Sequence, residues 1–125
     1  MSYYIEISVK VEGCDKYAKI AEPKYNDPTY NLGKMFRVCM GWDYSQSEPD
    51  ETGKYVKKYY PCDFVIEKVE TGIRELRTNR KKYEQYKPSN GWGSMSSAIE
   101  ALESLRACIY EEAEYIPINC LYMSW

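Results

Sequence analysis

The sequence predicts a single α+β domain, in which a small antiparallel sheet of two or three strands carries three helices on one face. Apolar and polar residues alternate over 3–12, which is typical of a half-buried strand. An apolar, aromatic stretch over 114–123 predicts a strand near the other end. Between them, apolar residues recur at helical spacing over 61–85 and 94–112. We therefore expect the N- and C-terminal strands to pair and the helices to pack on the apolar face of the sheet.

The first third of the chain is predicted to form a hairpin and then a short helix. One face of the N-terminal strand carries Tyr3, Ile5, Ile7, Val9 and Val11. A turn after this strand would return the chain as a second strand over 16–22. A helix over 30–40 is predicted from the spacing of Leu32, Met35, Phe36 and Cys39. Thr29 or Asn31 can cap this helix, and Gly41 can end it.

The rest of the chain is predicted to contain a loop, two helices and a strand. Residues 42–59 have little periodicity and read as a long loop, a kind of segment that tends to be a functional lid or disordered. The helix over 61–85 has an apolar stripe of Cys62, Val65, Ile66, Val69, Ile73 and Leu76. The helix over 94–112 has an apolar face of Ala98, Ala101, Leu102, Leu105, Cys108 and Ile109, and Ser97 with Glu100 has capping-box spacing. In the final strand one face carries Ile116, Ile118, Cys120 and Tyr122.

Charge and composition narrow the possible function classes. The 125 residues carry a formal net charge of -2, which disfavours a sequence-specific nucleic-acid binder. The chain has no histidine, so the usual Ser-His, Cys-His and His-metal chemistries are excluded, and we do not expect an enzyme. The five cysteines are odd in number and have no close pairs, so we expect free thiols, no metal site and no cofactor. No segment reads as a signal peptide or membrane span, which favours a cytoplasmic protein without a membrane partner.

A turn-like stretch, Asn90-Gly91-Trp92-Gly93-Ser94, separates the two long helices. The glycines tolerate positive φ and let a ligand approach the backbone closely. Ser94 opens a helix, whose free N–H groups suit an anion. Trp92 adds a flat apolar surface beside those donors, and a nucleotide needs such a surface for its base. The alternative is structural: Trp92 fills the core between the helices, and the glycines only shape the corner.

Two further sets of residues could complete a ligand site. Arg77 and Arg80 lie on the helix that ends near this turn, and arginine guanidinium groups recognise phosphate through two donors at once. The alternative is a solvated helix face whose arginines pair with Glu70, Glu75 or Glu84. Tyr30, Asn31 and Arg37 would border the same cavity if the first helix faces the Trp92 turn. Asn31 is most simply a helix cap.

The blocks Thr29-Tyr30-Asn31-Leu32 with Met35-Phe36-Arg37, and Pro88-Ser89-Asn90-Gly91-Trp92-Gly93, resemble those of a family of small uncharacterised bacteriophage proteins. Lys87 departs from that pattern, since the family often has Asn there, and residues 42–59 are longer than usual. The resemblance implies a small soluble protein in a phage or prophage setting, acting in the cytoplasm of the host cell. It implies no activity.

These observations lead to a ranked pair of functions. The first is a non-enzymatic phage-type binding protein that sequesters a small anionic, nucleotide-like ligand, such as the signal molecule of a host defence system. Trp92 or a neighbouring tyrosine would stack on the base, while the backbone over 91–94 with Arg77 and Arg80 would hold phosphate. The second is an inhibitor that binds a host protein directly through a tyrosine-rich surface. In either case the aromatic C-terminal stretch over 121–125 is predicted to form a homo-oligomer interface.

Overall fold

The computed structural model describes residues 5–24, 32–45, 48–87 and 94–125. They form an α+β fold, which confirms the predicted class. In chain order the elements are β1 (Glu6–Lys10), β2 (Tyr17–Ala21), α1 (Gly33–Met40), β3 (Glu48–Pro49), β4 (Tyr55–Val56), β5 (Tyr60–Pro61), α2 (Cys62–Thr78), α3 (Arg80–Glu84), α4 (Met95–Ala113) and β6 (Leu121–Ser124), with a 3₁₀ turn at Ile118–Cys120 before β6. Within the described ranges, no helix is both long and apolar enough to cross a membrane.

The main sheet is antiparallel and has the strand order β2-β1-β6-β5. The N- and C-terminal strands pair as predicted, with Ile7 opposite Met123 and Val9 opposite Leu121. The sequence predicts two or three strands, whereas the described part of this sheet has four. The additional strand, β5, comes from the boundary between the expected loop over 42–59 and the following helix.

The helix layer is built around α2, which contacts α1, α4 and β6. The apolar stripes predicted for the three long helical segments are buried in full. Gly72 of α2 lies at the point of closest approach, because a Cβ atom at this position would stand 2.8 Å from Cγ of Met40 and 3.1 Å from Cδ1 of Leu102. Neighbouring helices therefore pack directly against the backbone of α2 at Gly72.

The first helix ends as predicted and begins differently. Gly41 adopts a left-handed conformation, with φ of 61°, and Trp42 donates its N–H to the carbonyl of Arg37. Leu32 occupies the N-cap position without a side-chain hydrogen bond, so α1 is Gly33–Met40. The described part of the predicted helix over 30–40 is therefore α1, and Thr29, Tyr30 and Asn31 lie outside the described residues.

The predicted helix over 61–85 is interrupted at Asn79, which separates α2 from α3. The backbone of Asn79 leaves the helical region, with φ of -122° and ψ of 44°. Its side-chain amide donates to the carboxylate of Glu75, and the hydroxyl of Thr78 donates to the carbonyl of Arg74. Asparagine is a weak helix former, because its side chain favours local hydrogen bonds in non-helical conformations, and the apolar periodicity does not reveal this break.

Residues 42–59 are not a featureless loop, since they contain the two-stranded hairpin of β3 and β4. Oδ1 of Asp50 accepts hydrogen bonds from the backbone N–H and hydroxyl of Thr52, at 2.9 and 2.6 Å, and from the N–H of Lys54 at 3.0 Å. Gly53 supplies the left-handed turn conformation, with φ of 84°. Asp50 and Gly53 thus form a turn between two short strands, although the segment has no apolar periodicity that would predict them.

The predicted strand over 114–123 is shorter and faces the other way. Strand β6 begins only at Leu121, because the chain turns at 114–116 and Pro117 leads into the 3₁₀ turn. Leu121 and Met123 face the core, whereas the expected apolar face of Ile116, Ile118, Cys120 and Tyr122 is exposed or half-buried. Trp125 is also buried, with an exposed fraction of 3%. Most of the predicted oligomer interface over 121–125 therefore belongs to the core of this chain.

The outer face of the sheet is covered by residues 57–59, here called the strap. Nζ of Lys57 lies 2.6 Å from a carboxylate oxygen of Glu6, and the ring of Tyr59 stacks on Tyr17 with centroids 3.9 Å apart. Ser8, on the polar face of β1, is consequently buried. The alternation over 3–12 predicts that the polar face of this strand is exposed to water. Instead, the strap covers that face around Ser8, so that both faces of the middle of β1 are buried.

Candidate functional site

A groove of about 1000 Å³ runs along α4 and is here called the α4 groove. One stripe of that helix forms its floor, at intervals of three and four residues from Ser96 through Ile99, Glu103 and Ala107 to Glu111. Residues 77 and 80, on either side of the Asn79 break, line the same groove. Its volume lies at the upper end of the range of small-molecule sites.

The two arginines of the α4 groove differ in what they contact. Arg77 forms an ion pair with Glu103 across the α2–α4 interface, and 56% of its side chain remains exposed. Arg80 is exposed and forms no ion pair within the described ranges. Glu100 lies on the same stretch of α4 and adds a second carboxylate. Arg77 is therefore paired with Glu103 of α4 and not with one of the glutamates expected from its own helical segment, whereas the guanidinium of Arg80 has no ion-pair partner among the described residues.

The opposite end of the α4 groove is acidic. Glu22 and Lys24, which follow β2, meet Cys108 and Glu111 of α4 there. Burial raises the pKa of the Cys108 thiol to about 11, and the nearby carboxylates, Glu22 and Glu111 among them, act in the same direction. Three cations and four carboxylates line the groove as a whole, so its two ends differ in charge, with both arginines at one end.

The start of α4 is already capped by its own side chains. Oγ of Ser94 accepts the N–H of Ser97 at 3.1 Å, and the N–H of Ser94 donates to Oγ of Ser97 at 3.0 Å. The capping box is therefore Ser94 with Ser97, one turn earlier than the predicted spacing of Ser97 with Glu100. Because its N–H and hydroxyl serve the cap, Ser94 is less suited to hold phosphate than the sequence suggests.

Arg37 lies in a different place. It lines a second groove of about 640 Å³, here called the Arg37 groove, together with Tyr44, Val56 and Lys58. Nε of Arg37 donates to the carbonyl oxygen of Tyr44 at 3.2 Å, and its Cζ atom lies 4.4 Å from the centroid of the Tyr44 ring. The expectation that Arg37 borders the cavity of Arg77 and Arg80 finds no support, because these residues line separate grooves.

The remaining predicted site residues, Tyr30, Asn31, Asn90, Gly91, Trp92 and Gly93, lie outside the described residues. Their sequence positions are informative: 88–93 leads into the capped start of α4, and 25–31 follows Lys24 of the α4 groove.

Comparisons with models of protein families, with curated proteins and with solved structures find no match. Among the described residues, no group of three or more cysteine, aspartate or glutamate side chains is arranged to hold a metal ion.

Sequence reasoning missed several residues that line the grooves. Glu22 and Lys24 lie at the end of a strand and carry no motif, so only the fold reveals that they face α4. Tyr44 and Lys58 belong to the segment that was expected to be a loop. Its high aromatic content, with Trp42 and Tyr44 directly after α1, is the one signal that marks a packed structure there.

Proposed function

We propose that this chain is a non-enzymatic binding protein that sequesters a small anionic, nucleotide-like ligand in the α4 groove. The observation that carries the proposal is that Arg77 and Arg80 line one groove of ligand size. Arg80 offers an unpaired guanidinium within the described part of the chain, and such a group binds a phosphate through two parallel hydrogen bonds. Arg77 can contribute while it remains paired with Glu103.

The carboxylates of the groove indicate how the ligand would be oriented in it. Phosphate belongs at the Arg80 end, where Ser96 adds an exposed hydroxyl donor. The acidic end at Glu22 and Glu111 can accept hydrogen bonds from ribose hydroxyls or from the amino group of a base. Trp92 is proposed to stack on the base, because in the sequence it lies four residues before Ser96, which lines the α4 groove.

The phage setting follows from the resemblance of the Pro88–Gly93 block and remains part of the proposal. In that setting, a small protein without catalytic groups would act by lowering the free concentration of a host signal nucleotide. Binding in the α4 groove requires no chemistry, which is consistent with a chain that contains no histidine.

The decisive experiment measures nucleotide binding to matched charge-reversal variants. Isothermal titration calorimetry with mononucleotides and cyclic dinucleotides should detect binding to the wild-type protein. Arg80→Glu should weaken that binding about tenfold or more. Lys81→Glu is the control, since Lys81 is an exposed cation on the same short helix that does not line the groove. Native mass spectrometry of the purified protein should reveal any retained nucleotide and the oligomeric state together.

A second candidate, direct inhibition of a host protein, is favoured by the exposed tyrosines beyond the groove. Tyr115 is 83% exposed and Tyr110 49% exposed, and tyrosine is enriched at interface hot spots. If calorimetry gives no heat with any nucleotide and a host protein co-purifies in stoichiometric amounts, this candidate replaces the first. Tyr115→Ala should then abolish co-purification while Arg80→Glu leaves it unchanged.

A further inference from the structure

We propose that the Arg37 groove is a second binding site, which accepts a carboxylate attached to a short apolar group. It is separate from the α4 groove, and the two share no lining residue. The proposal does not depend on nucleotide binding.

Arg37 is held in place on a rigid support. Its Nε donates to the Tyr44 carbonyl, and its guanidinium lies over the Tyr44 ring. Tyr44 is itself buried and stacks on the indole of Trp125, with centroids 4.4 Å apart. An arginine that is already positioned loses less conformational freedom when it binds an anion.

The other edge of this guanidinium is open to a ligand. Nη1 and Nη2 form no hydrogen bond within the described ranges, and 30% of the Arg37 side chain is exposed. Asp43 approaches Nε at 3.7 Å, but its side chain is 99% exposed, so water weakens this contact. A carboxylate matches the fork geometry of the free Nη groups.

The walls of the groove indicate what the carboxylate is attached to. Val56 is 51% exposed, and with Pro49 it forms an apolar wall from the β3–β4 hairpin. Lys58 adds a second cation, and Glu48 with Asp43 balances the charge. A balanced groove disfavours a polyanion and suits one carboxylate beside an apolar group, such as a terminal carboxylate next to an apolar side chain.

The test compares two probes of the same shape in NMR titrations. 3-Phenylpropionate should shift the amide signals of Ser45 and Val56 in a saturable manner, whereas its neutral amide, 3-phenylpropanamide, should bind about tenfold more weakly. Arg37→Lys keeps the charge and loses the fork, and it should also weaken binding of the propionate about tenfold. Lys34→Met removes a cation from the exposed side of the same helix and should leave binding unchanged.

Three outcomes would overturn the proposal. Equal binding of acid and amide would show an apolar patch alone, and the absence of saturable shifts would show no site. Full displacement of the propionate by an equal concentration of inorganic phosphate would show a site for bare oxyanions. Lys58→Met removes the second cation of the groove and leaves the contacts of Arg37 with Tyr44 in place. It should weaken propionate binding about threefold, and it provides a test of the proposal if Arg37→Lys unfolds the protein.

Discussion

The ring of Tyr44 stacks on the indole of Trp125, with centroids 4.4 Å apart and planes within 13° of parallel. Phe36 of α1 lies 5.9 Å from the same indole. The contact joins the segment after α1 to the end of β6, two parts of the chain that are distant in sequence. The stacked pair therefore holds the segment after α1 against the end of the sheet, and the Tyr44 ring also supports the guanidinium of Arg37.

Replacing this indole should destabilise the fold strongly. Trp125→Ala removes a large buried side chain and is expected to lower the free energy of unfolding by about 3–5 kcal/mol, as measured by urea denaturation. Tyr115→Ala is the control, because that ring is 83% exposed and its loss should change stability by less than about 0.5 kcal/mol. Equal effects of the two substitutions would contradict a core role for Trp125.

Gly72→Ala should also destabilise, although alanine favours helix formation. The added Cβ would meet the side chains of Met40, Leu102 and Cys39 at 2.8 to 3.2 Å. We expect a net loss of about 1–2 kcal/mol, because steric strain outweighs the gain in helix propensity of about 1 kcal/mol. Thr71→Ala, on the adjacent half-buried position, should stay within about 0.5 kcal/mol of wild type. A more stable Gly72→Ala protein would show that the helices can move apart at no cost.

Stability should fall steeply at alkaline pH. Burial raises the pKa of Cys39 and Cys62 to about 12 and that of Cys108 to about 11, from an ordinary value of 9.0. Above pH 9 the unfolded chain therefore releases protons that the folded chain retains, so the stabilisation is complete below pH 9 and is lost as the pH rises through about 11 for Cys108 and about 12 for Cys39 and Cys62. Three such thiols produce a slope of at most about 4 kcal/mol per pH unit.

Urea denaturation between pH 7.5 and 10.5 measures this slope. Cys62→Ala should reduce it by about a third, because one of three perturbed thiols is removed. Cys14→Ala should not change it, since Cys14 is exposed. A stability that is constant across this pH range would contradict the burial of these thiols.

Thiol reactivity should separate the cysteines by position. Cys14 and Cys120 are exposed, and the other three are buried. At pH 8, brief alkylation of the folded protein should modify only the exposed pair, because the thiolate is the reactive form and burial suppresses it. Peptide mass spectrometry locates the modified residues, and the same reaction in urea should label all five. Rapid native labelling of Cys62 would disagree with the packed α2–α4 interface.

Trp92→Ala distinguishes the two roles open to that residue. As a base-stacking platform, Trp92 can be lost with little change in stability, while nucleotide affinity falls by about tenfold or more. Calorimetry and urea denaturation of the same sample measure both quantities. A loss of about 3–5 kcal/mol in stability would instead assign Trp92 to the core between the helices.

Much of the fold could be predicted because it depends on burial. The stripe from Cys62 to Leu76 and the alternation around Ile7 place apolar side chains at fixed spacing, and packing the helices on the sheet removes these side chains from water. Gly41 marks the end of α1 because few residues other than glycine adopt the left-handed conformation readily.

The features that sequence analysis missed depend on polar side chains and on contacts between distant segments. The carboxylate of Asp50 organises a hairpin without an apolar pattern. Which face of β6 is buried depends on which face packs against α2. Leu121, Met123 and Trp125 lie on the buried face, and Tyr122 lies on the other face. For the same reason the separation of Arg37 from Arg80 became visible only in three dimensions, since each residue alone suits an anion site.

The break at Asn79 has a consequence for the two arginines of the α4 groove. In an unbroken helix, the Cβ atoms of residues three apart would have a fixed separation of about 5–6 Å, because the helical backbone between them is regular. Arg77 and Arg80 instead belong to two different helices, joined by a single residue in a non-helical conformation. The spacing of these two side chains along the groove therefore depends on the backbone conformation of one residue, Asn79, with φ of -122° and ψ of 44°.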